Sequence, residues 1–211
     1  MSKLMAELFR KLNTADGSAN ERVIKKLVSG WRRTAEPKSI RADLVQWCES
    51  FADVAKLRTG ARETATHYVW PLVSCDSGCS VCINEFKDPL EMAVGYATTL
   101  HDHRYSFVSL VLSGGYTQVR DAVELCDRHH VSKIHEVGQD ILTEGDIVVV
   151  NDAEFHRIQG IRRSTITLVV KCPPTKNESL SIDLRTGRIT RHIPVEARVG
   201  RLIEALALTG I

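Results

Sequence analysis

His101-Asp102-His103 places two imidazoles two residues apart, and on a β-strand that spacing sends both side chains to one face. Each neutral ring offers a nitrogen lone pair, so the pair is a pre-aligned part of a metal site. The same spacing also suits two solvated or hydrogen-bonded histidines. A third imidazole, His156, ends the run from Gly145 to His156, which reads as a buried strand leading through a turn into another strand. Three neutral imidazoles suit iron, zinc, copper or nickel, and leave coordination positions open for substrate and oxidant.

The other reactive side chains carry weaker patterns. Cys75, Cys79 and Cys82 have a C-x3-C-x2-C spacing that resembles the iron-sulfur motif of radical SAM enzymes. Those enzymes surround the cluster with alternating strands and helices, a pattern missing here, so plain loop cysteines are the expectation, with a small structural metal site or a redox pair as the alternatives. His129 and His130 lie in a polar stretch that reads as a hairpin tip. His67, His135 and His192 have no motif around them and read as surface residues, while Cys48, Cys126 and Cys172 read as packing. Nothing in the chain resembles a nucleophile elbow, a phosphate loop or an HExxH helix.

The elements that must position the three histidines fall into two groups. Residues 3 to about 58 show helical spacing in three stripes: Leu4, Leu8 and Leu12; Val23, Ile24, Leu27, Val28 and Trp31; and Ile40, Leu44, Trp47, Cys48, Phe51 and Ala55. Ser18 and Glu21 form a capping box, while Pro37 and Ser39 read as a breaker and an N-cap. After Gly60 come β-rich runs at Tyr68 to Val73, Met92 to Ala97, Phe107 to Leu112, Tyr116 to Val119, Ile147 to Val150 and Thr165 to Val170. Gly114-Gly115, Glu144-Gly145 and Arg185-Thr186-Gly187 are expected to join antiparallel strands. An amphipathic helix with proline in its first turn follows from Pro194 through Leu206. Many short strands at close spacing predict a mainly β sandwich or barrel.

With 211 residues and 43% hydrophobic composition, the chain can bury one core without staples. The expected organisation is a single domain over 1–211: a helical segment over 1–60 packed on a barrel over 61–192, then a C-terminal helix over 193–211. The 28 Lys and Arg against 26 Asp and Glu leave a formal charge of +2, with no basic run interleaved with aromatics, so nucleic acid is not an expected partner. Charges at Lys3, Glu7, Arg10 and Lys11 interrupt the N-terminus, which predicts no signal peptide or membrane span and a cytoplasmic location.

Around the histidines the residues resemble the two motifs of the cupin superfamily. Gly95 stands five intervening residues before His101, Gly115 follows at the motif's turn, and Gly145 stands at the matching distance before His156. Asn151 and Ala153 replace the usual proline and glycine. Within that superfamily the chain is most similar to the cysteine dioxygenase family. The likeness is carried by His101 to His103 with Leu112 and Gly115, then Asn151-Asp152 leading to His156-Arg157-Ile158. Pro173-Pro174, the turn from Asp183 to Gly187 and the helical prefix extend it. The resemblance implies a cupin double-stranded β-helix, or jelly-roll barrel. Where most cupins carry a glutamate after the second histidine, this chain has Phe107, Val108 and Ser109, which implies three histidines without a carboxylate. Thiol dioxygenases bind ferrous iron in this way and add both atoms of dioxygen to a substrate sulfur.

The chain departs from that family where substrate is recognised. Trp70 stands in the segment that carries the family's carboxylate-binding arginine, and is expected as a wall of the pocket or as a core residue. Thr167, Val169 and Lys171 stand for the family's serine, histidine and tyrosine relay, and Val108 for the cysteine that some members crosslink to that tyrosine. Lys171, facing inward near a metal, is expected to have a lowered pKa and to act as a base or bind an anionic substrate; the alternative is a strand end where it reaches water. The expectation is an iron(II)-dependent dioxygenase with one Fe(II) per chain, using dioxygen and a small thiol or amino-acid-like metabolite other than free L-cysteine. The alternatives are a zinc or nickel cupin of isomerase or lyase type, and a cupin that binds a small molecule without turnover.

Overall fold

The structure, a computed structural model, describes residues 3–14, 21–49, 60–92 and 98–194, together with residue 200. Three helices come first, α1 (Lys3–Thr14), α2 (Glu21–Arg32) and α3 (Pro37–Glu49). Most described members of their apolar stripes are buried: Leu8, Leu12, Ile24, Val28, Trp31, Ile40 and Leu44 are all removed from solvent, whereas Val23 is exposed. Pro37 does not break a helix but opens α3, where its missing N–H has no intrahelical acceptor to lose, so Ser39 lies inside the helix. The capping residue Ser18, the strand reading over 93–97 with Gly95, the stripe beyond residue 49 and nearly all of the C-terminal helix lie outside the described residues.

Among the described residues twelve strands follow: β1 (Arg62–Glu63), β2 (His67–Ser74), β3 (Ser80–Phe86), β4 (Leu100–His101), β5 (Phe107–Ser113), β6 (Gly115–Leu125), β7 (Val131–Thr143), β8 (Ile147–Val150), β9 (Phe155–Gln159), β10 (Ile166–Lys171), β11 (Ser179–Ile182) and β12 (Ile189–His192). They form two six-stranded antiparallel sheets, ordered β1-β2-β3-β10-β5-β8 and β12-β11-β4-β9-β6-β7. From β3 onward the chain crosses repeatedly from one sheet to the other, through β4, β5, β6, β8, β9, β10 and β11. That winding makes a jelly-roll barrel, mainly β as expected.

Those crossings correct two of the expected turns. Arg185-Thr186-Gly187 does join the paired strands β11 and β12, but Gly114 and Glu144-Gly145 each carry the chain between sheets. Gly114 has φ +72°, and a Cβ there would meet the Thr165 backbone, its Cα at 2.7 Å. Only glycine allows so close a corner. Several strands lie outside the runs read from the sequence, β3 and β7 the longest of them. β3 lies among the cysteines and mixes polar Asn84 and Glu85 with apolar residues, and β7 is a largely exposed edge strand.

The helical layer packs on the outer face of the first sheet. One apolar cluster joins Leu8, Leu12, Ile24, Trp31 and Ile40 to Val81, Val108, Leu110, Leu112, Leu168 and Val170. The central strands β5 and β10 are therefore covered on both faces, which is why they read as nearly unbroken apolar runs. Their alternate residues point the other way, into the barrel. Among the described residues no helix is long and apolar enough to cross a membrane.

Candidate metal centre

His101 ends β4, and the register sets it directly opposite His156 on β9. Cross-strand partners have neighbouring Cβ atoms, so this pairing by itself brings two imidazoles together. His103 lies beyond the end of β4, not on it as the spacing predicts. Its direction is held by Asp102, whose N–H donates to the Leu180 carbonyl at 3.1 Å and whose carboxylate accepts from Leu180 N at 2.5 Å and Lys176 Nζ at 2.6 Å. Burial pushes the Asp102 carboxyl upward, and Lys176 and Leu180 oppose that shift. The tie keeps the chain extended past β4, so His101 and His103 emerge on the same side and Asp102 on the other.

The three Nε2 atoms converge. His103 Nε2 lies 3.2 Å from His101 Nε2 and 2.9 Å from His156 Nε2, and the donor atoms all fall within 4.8 Å of one another. His101 Nδ1 lies 2.8 Å from the Thr99 carbonyl and donates its proton there, which leaves Nε2 as a lone pair. A single proton on His103 Nε2 can bridge only one of its two neighbours. A metal about 2.1 Å from each nitrogen would separate ligands set at right angles by about 3.0 Å, so the donor set fits a divalent ion. Burial holds the rings neutral: His101 is lowered to about 4, and His103 and His156 fall well below the ordinary imidazole value. Beyond the second histidine of the pair, the Phe107 ring stands edge-on to His103 at 4.9 Å between centroids.

A cavity of about 720 Å³ opens over the histidines, lined from both sheets. Thr167, Val169 and Lys171 line it together, as alternate residues of β10. Trp70 does not. It lies on the opposite side of β2 from the cavity-lining Val69, and its indole N–H donates to Glu85 at 2.9 Å in an exposed pair. A pocket wall at Trp70 is therefore corrected to Val69, because strand alternation turns residue 70 outward. Val108 also faces away, into the cluster beneath the helices, while its neighbours Phe107 and Ser109 face the cavity.

Lys171 differs from expectation in its ionisation. Burial acts to lower its pKa, but the Tyr105 hydroxyl and Cys82 thiol act the other way, and the net direction is upward. The Lys171 Nζ sits 5.3 Å from the centroid of the Tyr105 ring.

Sequence reasoning missed Tyr105, Arg62 and His67, all of which line the cavity. Extending the alternation from His101 and His103 to 105 and 107 would have found Tyr105. Arg62 and His67 carry no such signal, since only the pairing of β1 and β2 brings them to the rim. His67 Nδ1 lies 2.9 Å from Thr66 Oγ1, and burial, followed by the charges of Arg62, Lys171 and Lys87, lowers its pKa to about 4. Cys75, Cys79 and Cys82 are buried rather than loop-exposed, and among the described residues they form no three-membered group that could hold a metal.

The fold and site together define a jelly-roll barrel with a three-histidine group at the floor of its cavity. No family model matches the chain, and no curated protein matches it. Solved structures to which it is similar include oxalate decarboxylase W96Y from Bacillus subtilis, at 14% identity and TM-score 0.39, over 61% of this chain and 29% of that one. An RmlC-like cupin from Shewanella frigidimarina matches at 19% identity and TM-score 0.38, over 60% of this chain and 93% of that one. The DMSP lyase DddQ from Ruegeria pomeroyi matches at 15% identity and TM-score 0.36, over 57% and 56%. The chain thus spans less than a third of the decarboxylase and just over half of the lyase.

Proposed function

We propose that the protein is a non-haem iron(II)-dependent oxygenase acting on a small thiol or amino-acid-like metabolite other than free L-cysteine. The observation that carries this reading is the convergence of His101, His103 and His156 Nε2 atoms on one point with no Asp or Glu among the described cavity-lining residues. That ligand set is the one implied by the resemblance to thiol dioxygenases.

Bound there, an iron(II) ion would supply dioxygen activation, chemistry that no amino-acid side chain provides. Neutral imidazoles do not compensate a divalent charge, so the site favours an anionic donor such as a thiolate. The cavity volume suits a metabolite rather than a polymer. Phe107 packs edge-on against His103, and Thr167, Val169 and Lys171 provide none of the family's proton relay. Trp70, turned outward, offers the substrate no clamp. These differences argue against free L-cysteine.

The test is elemental analysis of protein purified without added metal, paired with oxygen uptake after ferrous reconstitution against a panel of small thiols. About one iron per chain and thiol-dependent oxygen consumption is the expected result. Zinc or nickel at that stoichiometry, with no oxygen uptake after ferrous loading, would replace the oxygenase by a non-redox isomerase or lyase. Intact ligand recovered from a stable complex would indicate binding without turnover.

A further inference from the structure

Three cysteines stand in one row across the first sheet. The ladder between β2 and β3 ends with Ser74 opposite Ser80, and one step further the Cys75 N–H donates to the Cys79 carbonyl at 2.8 Å. The ladder between β3 and β10 ends with Lys171 opposite Ser80, so the next step sets Cys172 beside Cys79. Gly78 agrees with that register, because a Cβ there would lie 3.2 Å from the Pro173 ring. Residues directly opposite one another point to the same face of a sheet. Cys75, Cys79 and Cys172 accordingly belong to the apolar cluster beneath the helices, where all three are buried thiols.

The two neighbours of Cys79 are not equivalent. Cys75 and Cys79 are a hydrogen-bonded pair, a geometry that sets Cα atoms about 5.5 Å apart. Cys172 directs its N–H the other way, to the Ser106 carbonyl at 2.9 Å beside β5. An antiparallel residue turns its N–H and C=O to one side, so Cys172 makes its ladder bonds away from Cys79. Cys79 and Cys172 are therefore a non-hydrogen-bonded pair, with Cα atoms about 4.5 Å apart and side chains closer. A disulfide needs Cβ atoms about 3.5–4.5 Å apart, which this closer pair reaches with the smaller movement. Cys75 and Cys172 stand two strand spacings apart, roughly 10 Å, too far for three thiolates to share one metal ion. Burial, then Cys79 and Asp76, raise the Cys75 pKa and disfavour its thiolate.

We infer that Cys79 and Cys172 are a redox-active pair that closes a reversible disulfide across β3 and β10, with hydrogen peroxide as the oxidant. The peroxide oxidises one thiolate to the sulfenic acid and leaves as hydroxide, and the second thiol then displaces the sulfenic oxygen as water. In sum, two thiols lose two electrons and two protons, and the peroxide becomes two waters. A thiol reductant reverses the step by exchange. The bond would tie together the strand ends that carry Ser80 and Lys171, both of which line the cavity. It needs no metal, so it stands apart from the oxygenase reading.

The experiment is peptide mapping of the full chain held in chelator, exposed to a modest excess of hydrogen peroxide and then alkylated with iodoacetamide in denaturant. The expected product is a peptide pair joined through Cys79 and Cys172, lost again after dithiothreitol. Cys75→Ser should leave its yield unchanged. In Cys79→Ser, Cys172 should be recovered unlinked, and a link from Cys75 to Cys172 there would contradict the row. A link between Cys75 and Cys79 as the main wild-type product would overturn the inference. Sulfinic acid at Cys79 or Cys172 without a link, or recovery of both as alkylated thiols, would do the same. If either variant does not fold, the wild-type map decides the matter.

Discussion

Replacing Asp102 separates two contributions that the structure joins at one side chain. The carboxylate is 4% exposed, accepts the Leu180 N–H at 2.5 Å and meets the Lys176 ammonium at 2.6 Å. Asp102→Asn keeps an oxygen for Leu180 and removes a charge whose burial is unfavourable, while Lys176, about a third exposed, can turn to water. The two effects oppose each other, so Asp102→Asn should change stability by no more than about 1 kcal/mol. Asp102→Ala removes the acceptor as well and leaves the Leu180 N–H unpaired, which costs about 1–3 kcal/mol beyond the asparagine variant. Urea denaturation of both variants in chelator measures this without contribution from metal. The alanine variant should also retain less metal, since the direction of the chain between His101 and His103 depends on this tie. Equal destabilisation by asparagine and alanine would refute the reasoning, and would show that the ion pair with Lys176 holds the segment.

His101→Ala should reduce metal content from about one ion per chain to near zero, measured by elemental analysis, because two imidazoles leave the ion without the third of its convergent donors. His67, lowered to about 4 from an ordinary 6.5, is disfavoured in its charged form in the folded state. Its contribution is therefore present above pH 6.5 and lost as pH falls towards 4, by no more than about 3 kcal/mol. His67→Gln should show a shallower loss of urea stability over that window, and an unchanged slope would contradict the assignment. Gly114→Ala should destabilise by more than about 2 kcal/mol, or prevent folding, because φ +72° and the Thr165 backbone both oppose a Cβ. Thermal melting of that variant close to wild type would show that the corner can shift.

The sequence by itself determined the class of architecture and the donors. Helical stripes before residue 50 and short apolar runs after Gly60 reflect burial on one face or on two, and burial shapes which residues a chain can carry. His101, His103 and His156 were legible because strand spacing and motif order mark them before any contact is known. Tertiary structure decided what one residue of register changes. Trp70 and Val108 carry side chains suited to the cavity, yet each sits one step out of phase with Val69 or Phe107 and faces away. Period two makes every such step a change of face. The tie from Asp102 to Lys176 and Leu180, and the gathering of Arg62, His67, Tyr105 and Lys171 around one cavity, join residues far apart in the chain. Only the winding of the chain between the two sheets brings them within reach, and with them the charge that the cavity presents.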